Sequence, residues 1–215
     1  MITFLKSGPF KIAKLIVYLS AIPNINKTIN FKEDSMKPNT RTLKIILTAL
    51  MAALCCISTM IIQVPSPTGG YIHLGDGLVL LSGIILGPIY GGLAAGIGSM
   101  LADILSGYPH YAIATLIIKA LAAVVGSSIY ALLTSKKPGK SISIIIAGVF
   151  GGIIVTLGYF IFDSILLGSG FAAAVTGVPG NVVQNIFGII VSTFLFPFLV
   201  KSPYLKELIL KEARS

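Results

Sequence analysis

Apolar residues in this chain come in long blocks separated by short polar stretches, and six such blocks occupy residues 43–63, 76–86, 89–106, 111–134, 142–167 and 182–200. An α-helix rises about 1.5 Å per residue and a bilayer core is about 30 Å thick, so about 20 apolar residues make one crossing. The second block is short for a crossing, and Gly87-Pro88 separates it from the third. Short, glycine-rich helices of this kind predict a compact pair packed against protein. Pro65-Ser66-Pro67-Thr68-Gly69-Gly70 has the composition of a turn and marks the first connection as a loop. The pattern predicts an all-α integral membrane bundle of six transmembrane helices within residues 36–215.

Charge orients the bundle. Lys37, Arg41 and Lys44 stand at the start of the first block, Lys136, Lys137 and Lys140 between the fourth and fifth, and Lys201, Lys206, Lys211 and Arg214 after the sixth. The connections at 64–75, 107–110 and 168–179 contain neither Lys nor Arg. By the positive-inside rule, both termini are expected in the cytoplasm of a multi-pass cell-membrane protein. Composition agrees: 55% of residues are hydrophobic and 11% charged, against about 25% charged in soluble domains. The net charge of +9 does not indicate nucleic acid, because the cations flank apolar blocks instead of interleaving with aromatics.

Residues 1–35 read differently. Their apolar run from Ile12 to Ile22 is interrupted by Lys14, closed by Pro23 and too short to span. They are expected to be either a misassigned upstream extension, with Met36 the start, or an interfacial amphipathic segment.

Catalytic and metal chemistry find no support. Cys55 and Cys56 are adjacent inside the first block and supply neither a disulfide framework nor a zinc site. Gly139-Lys140-Ser141 resembles the end of a phosphate loop but has Thr134 where that loop needs glycine. Neither a metal-binding H-E-x-x-H helix nor a G-x-S-x-G elbow occurs. The chain is expected not to be an enzyme, to need no cofactor and to be unable to hydrolyse ATP by itself.

Small residues recur four apart at Gly91/Ala95, Gly92/Gly96, Ala94/Gly98 and Gly148/Gly152, the spacing that lets membrane helices approach closely. Ala49 and Ala53 share this spacing in the first block beside bulky Leu50 and Met51, where a partner helix can dock from outside.

Ionisable groups inside a membrane are expensive and mark candidate sites. Asp76, Asp103, Asp163 and Lys119 all fall in the outer half of the predicted bundle. Helical side chains lean towards their own amino termini. Asp103 and Lys119, flanking the loop at 107–110, are therefore expected to converge, either as a brace or as a pair that also grips a polar substrate. Asp76 either caps a helix start or joins the site. His73 lies in the loop above as a solvated group or a ligand contact. Asp163 shares a helix face with Tyr159. Asn181, Gln184 and Asn185 bring three amides to the start of the sixth helix, to bridge helices or to bond a ligand. Tyr71, Tyr108 and Tyr111 suit stacking on a planar ring or anchoring at the interface.

The stretch from Gly70 to Leu121 resembles the substrate-binding membrane subunits, or S components, of energy-coupling factor (ECF) vitamin transporters. The resemblance rests on Leu74-Gly75-Asp76, the Gly87-Pro88-x-Tyr90-Gly91 break, Ala102-Asp103 followed by Gly107-Tyr108-Pro109, and Ile118-Lys119. It extends over about residues 41–200. It implies six helices, a vitamin or related heterocycle bound under the first loop, and docking onto a transmembrane coupling subunit driven by two ATPase subunits. In that family a small-residue motif in the first helix meets the coupling subunit, and Ala49 and Ala53 match it. The chain has no Trp, which departs from members with tryptophan-stacked thiamin-type sites. Three aspartates against one lysine favour a ligand with a protonatable nitrogen, pyridoxine-like or hydroxymethylpyrimidine-like, with riboflavin behind. The alternative is a proton-coupled secondary transporter titrating at Asp103 or Asp163, although no inverted repeat or pair of broken helices is recognisable.

Overall fold

The computed structural model describes residues 40–66, 70–134 and 141–214. The expectations for residues 1–35 and for the basic stretch 135–140 lie outside these. Residues 44–215 form one compact unit. Its first long helix, α1 (Thr40–Ile61), leads into a short antiparallel hairpin of β1 (Gln63–Pro65) and β2 (Tyr71–His73). Then follow α2 (Asp76–Leu105), α3 (Pro109–Thr134), α4 (Ser141–Ile161) with a π-helical turn at Phe162–Leu166, the short α5 (Phe171–Val175), α6 (Val178–Leu199) and α7 (Pro203–Glu212). Five of these helical stretches are long and apolar enough to cross a membrane.

The second and third predicted spans are the two arms of α2. Gly87 joins them with φ 79° and ψ 178°, a backbone region closed to residues bearing a Cβ. Pro88 then opens the second arm, where its missing N–H leaves no helical hydrogen bond unmade. The arms fold back on one another, and Ser82 Oγ donates to the carbonyl of Gly91 at 3.1 Å. A Cβ on Gly91 would come within 2.5 Å of Gly83 Cα. Gly91→Ala is therefore expected to lower stability by about 1–3 kcal/mol, as overpacking does, measurable as reduced thermal stability in detergent.

Close approach without side chains recurs throughout the bundle. Gly83 and Gly96 of α2 lie against backbone carbonyls of Ala123 and Leu116 on α3, Gly98 lies against Ala52 of α1, and Gly148 of α4 meets Ile189 of α6. For Gly96, Gly98 and Gly148, members of the four-residue pairs, this internal packing is what the spacing predicts. Ala49 and Ala53, by contrast, are exposed on α1. Large apolar side chains such as Leu50, Ile57, Ile113, Ile117 and Leu121 are also exposed, which suits a surface facing lipid and not water.

The pattern does not anticipate every element: the connection at 168–179 holds the short α5 and the first residues of α6, and two further features stand out. The stretch at 64–75 contains the hairpin, with Val64 opposite Ile72. The end of the chain forms the amphipathic α7, which buries Leu208 and Ile209 in a core shared with Leu81, Ile84, Tyr130 and Phe196. Its Glu212 accepts from Lys44 Nζ at 2.5 Å, and Lys44 Nζ also stands 5.4 Å from the Tyr90 ring centroid. The cations Lys44, Lys201, Lys206, Lys211 and Arg214 thus belong to the opposite end of the helices from the hairpin.

Candidate ligand-binding site

At the hairpin end, β2, α2, α3, α4 with its π-turn, and α6 surround a cavity of about 460 Å³, part of it open to solvent. Local geometry delivers each side chain. The hairpin register sets Tyr71 and His73 two apart on one strand, so they share a face. Gly107, at φ 87°, turns the chain tightly from α2 into α3, and Tyr111 and Thr115 follow one turn apart. The π-turn inserts an extra residue at the end of α4, a deviation frequent at functional sites, and buries Asp163. Asn181 and Gln184 come from the first turns of α6.

Two tyrosine–aspartate pairs stand in the walls. Tyr71 OH donates to Asp103 Oδ1 at 2.6 Å, and Tyr111 OH donates to Asp163 Oδ1 at 2.9 Å. Between them, the hydroxyls of Thr115 and Tyr159 are 2.9 Å apart. Rings cluster around Tyr111, with centroid distances of 4.8 Å to His110, 5.2 Å to Phe162 and 6.3 Å to Tyr159. The chamber therefore offers aromatic surface and hydrogen-bond acceptors together.

Beneath it lies a buried network. Lys119, fully enclosed, forms an ion pair with Asp76 Oδ1. Gln184 Nε2 donates to Asp76 Oδ2 at 2.8 Å, and Gln184 Oε1 accepts from the backbone N–H of His73 at 2.9 Å. A continuous polar chain thus ties α3, α2 and α6 to the strand that roofs the cavity. Lys119 Nζ also stands 5.4 Å from the Tyr159 ring centroid, a favourable cation–π distance.

This geometry corrects the expected partnership of Lys119 with Asp103. The fold-back at Gly87 brings the first arm of α2 alongside α3, so that Gly83 lies against Ala123. One to two turns back along each helix, Asp76 meets Lys119. Asp103 instead faces Tyr71. Two further candidates stand off the cavity. Tyr108 stacks behind Tyr71 with ring centroids 4.8 Å apart. Asn185 turns to α4, donating to the Gly152 carbonyl at 2.8 Å and Thr156 Oγ1 at 3.0 Å. Asp76 and Asn185 border a separate space of about 300 Å³ walled partly by Gly148, Gly151 and Gly152. His73, Asp103, Tyr111, Tyr159, Asp163, Asn181 and Gln184 do line the main cavity. Thr115 lines it too. Its place one turn before Lys119 was the available signal, but a threonine among helix-face residues does not stand out.

Electrostatics in the hairpin follow from burial. The His73 imidazole is pushed down from 6.5 to about 3, by burial first and then by the nearby Lys119 charge. Its Nδ1 accepts from the Gly75 N–H at 3.0 Å, as a neutral ring with its proton on Nε2 does. An unfolded chain binds this proton more readily than the folded one, so His73 costs stability as pH falls below 6.5. Burial and the Asp103 carboxylate push the Tyr71 hydroxyl up, keeping it a neutral donor.

Fold and site together define a polytopic helical membrane protein with a polar, tyrosine-lined chamber under its first connecting hairpin. The chain belongs to the ECF-type riboflavin transporter S component family, whose family model it matches over residues 39–201. It is 36% identical over 136 residues to an "Uncharacterized protein in gap 3'region" of Pyrococcus woesei, a match covering 63% of this chain and 86% of that protein. A solved structure described as "Structure and mechanism of the S component of a bacterial ECF transporter" superposes with a TM-score of 0.58 at 20% identity. That match covers 75% of this chain and 98% of the other, and at such identity it speaks for the fold.

Proposed function

We propose that this protein is the substrate-binding subunit of an ATP-driven ECF-type importer in the cell membrane, taking up a small, water-soluble, ring-containing vitamin or precursor. The observation that carries this reading is the chamber itself, where Tyr71, Tyr111 and Tyr159 supply aromatic surface beside Asp103 and Asp163. Family membership supports the binding-subunit role over proton-coupled secondary transport. The segregation of cations at the opposite end supports a cavity facing outward and cytoplasmic termini. Exposed Ala49 and Ala53 offer a close-approach surface for a transmembrane coupling subunit, which two ATPase subunits would drive. The substrate crosses chemically unchanged.

Lys119 is committed to Asp76, so the lining carboxylates dominate the charge of the chamber. This favours pyridoxine-like or hydroxymethylpyrimidine-like ligands with a protonatable nitrogen. The family match favours a second reading, riboflavin, whose ring N–H and side-chain hydroxyls also donate to carboxylates.

Uptake into vesicles separates this role from the secondary transporter. Vesicles carrying the chain with a coupling subunit and two ATPases are expected to accumulate labelled vitamin only with ATP. Accumulation by the chain alone under a proton gradient would reject the ECF role.

A further inference from the structure

Asp103 is 4% exposed and lines the cavity. Its two oxygens are not equivalent. Oδ1 is held by the Tyr71 hydroxyl at 2.6 Å, whereas Oδ2 is buried and meets no donor at hydrogen-bond geometry among the described residues; the Thr115 hydroxyl, also near this carboxylate, lies 2.9 Å from the Tyr159 hydroxyl. A buried acceptor left unsatisfied costs about 1–3 kcal/mol, more if charged, and such groups in native proteins call for an explanation. The usual remedy, a neighbouring cation, is spent: Lys119 pairs with Asp76, whose second oxygen is taken by Gln184. The other wall carboxylate, Asp163, also holds a tyrosine, Tyr111.

Resting on the binding-subunit reading above, we propose that Asp103 determines specificity by accepting, at Oδ2, a hydrogen bond from a ligand N–H, protonated nitrogen or ammonium. The Tyr71 bond fixes the carboxylate so that one oxygen belongs to the hairpin and the other to the ligand. A ligand donor then satisfies this acceptor, so selectivity comes from this atom as well as from ring stacking. Ligands that carry no donor at this position leave the carboxylate buried and unpaired, and are discriminated against as sites built around hydrogen bonds do.

The test uses the purified full-length protein and four probes, pyridoxine, pyridoxamine, 4-amino-5-hydroxymethyl-2-methylpyrimidine and riboflavin, titrated by calorimetry. Asp103→Asn keeps the shape but removes the charge. It is expected to weaken the best-binding probe about 10- to 100-fold, the range for a hydrogen bond to a charged group. It is also expected to compress the wild-type preference between pyridoxamine and pyridoxine, which differ by an ammonium in place of a hydroxyl. Tyr71→Phe keeps the charge but releases Oδ1, so it is expected to keep the direction of that preference while reducing its size. If Asp103→Asn folds poorly, Asp103→Glu keeps the charge but moves it, and the same loss of affinity is expected with melting temperature retained. Equal affinities and an unchanged probe preference in the Asp103 variants would overturn the assignment while the binding role stood. Failure of all four probes to bind wild-type protein would instead overturn the ligand classes proposed above, and the assignment of Asp103 with them.

Discussion

Lys119→Ala is expected to be the most destabilising single substitution in the polar network, at about 3–5 kcal/mol, because it leaves the Asp76 carboxylate buried without its cation. The pair itself contributes less than this loss suggests, since both charges were desolvated to form it. Lys119→Met combined with Asp76→Asn is therefore expected to recover much of the stability lost by Lys119→Ala. Gln184 carries the consequence into the site. It bonds Asp76 with its amide nitrogen and the His73 backbone with its oxygen, so disturbing the ion pair loosens the strand that roofs the cavity. Ligand dissociation is expected to accelerate in Lys119→Ala even at temperatures where the protein remains folded. Melting curves and dissociation rates on the two variants check both statements. A Lys119→Ala protein as stable as wild type would remove the ion pair from the framework.

The second large effect is expected on coupling. Ala49→Leu with Ala53→Leu places two bulky groups on an exposed face of α1, where the bundle itself has no need of the space. Close helix approach from outside is then blocked. ATP-driven uptake in the reconstituted system is expected to fall to background, with ligand affinity and melting temperature unchanged. Normal uptake by the double variant would locate the coupling surface elsewhere. Paired loss of affinity and uptake would show that the substitutions disturb the bundle instead.

Much of the architecture was legible because membrane helices must be long, apolar and terminated by recognisable residues. Gly87-Pro88 announces its own break, and the glycines at 91, 96 and 98 lie against backbone as their four-residue spacing predicts. The hairpin was less accessible: its strands have three residues each, too few for an alternating pattern to register. α7 lies beyond the last span and is recognisable mainly by the apolar face that packs against the core. At the site, residue types were readable but partnerships were not. Proximity in sequence pairs Lys119 with the carboxylate across the nearest loop, Asp103, whereas the fold-back of α2 presents Asp76. Asn185 sits one residue from Gln184, yet a 100° step around α6 sends its amide to Gly152 and away from the cavity. Helix rotation and hairpin closure decide these pairings, and both depend on contacts distant in sequence.

The central claim, that the chamber under the hairpin holds a small heterocyclic vitamin, is tested most directly by identifying what the protein carries from its native membrane. Purified protein is denatured and the released small molecules are identified by mass spectrometry, beside an Asn181→Trp variant whose added ring fills the cavity mouth. A ring-containing vitamin or precursor in near-stoichiometric amount from wild type, and its loss from Asn181→Trp, is the predicted result. Equal retention of that compound by the cavity-filled variant, or the absence of any bound ring compound from protein that also binds none when supplied, would contradict it.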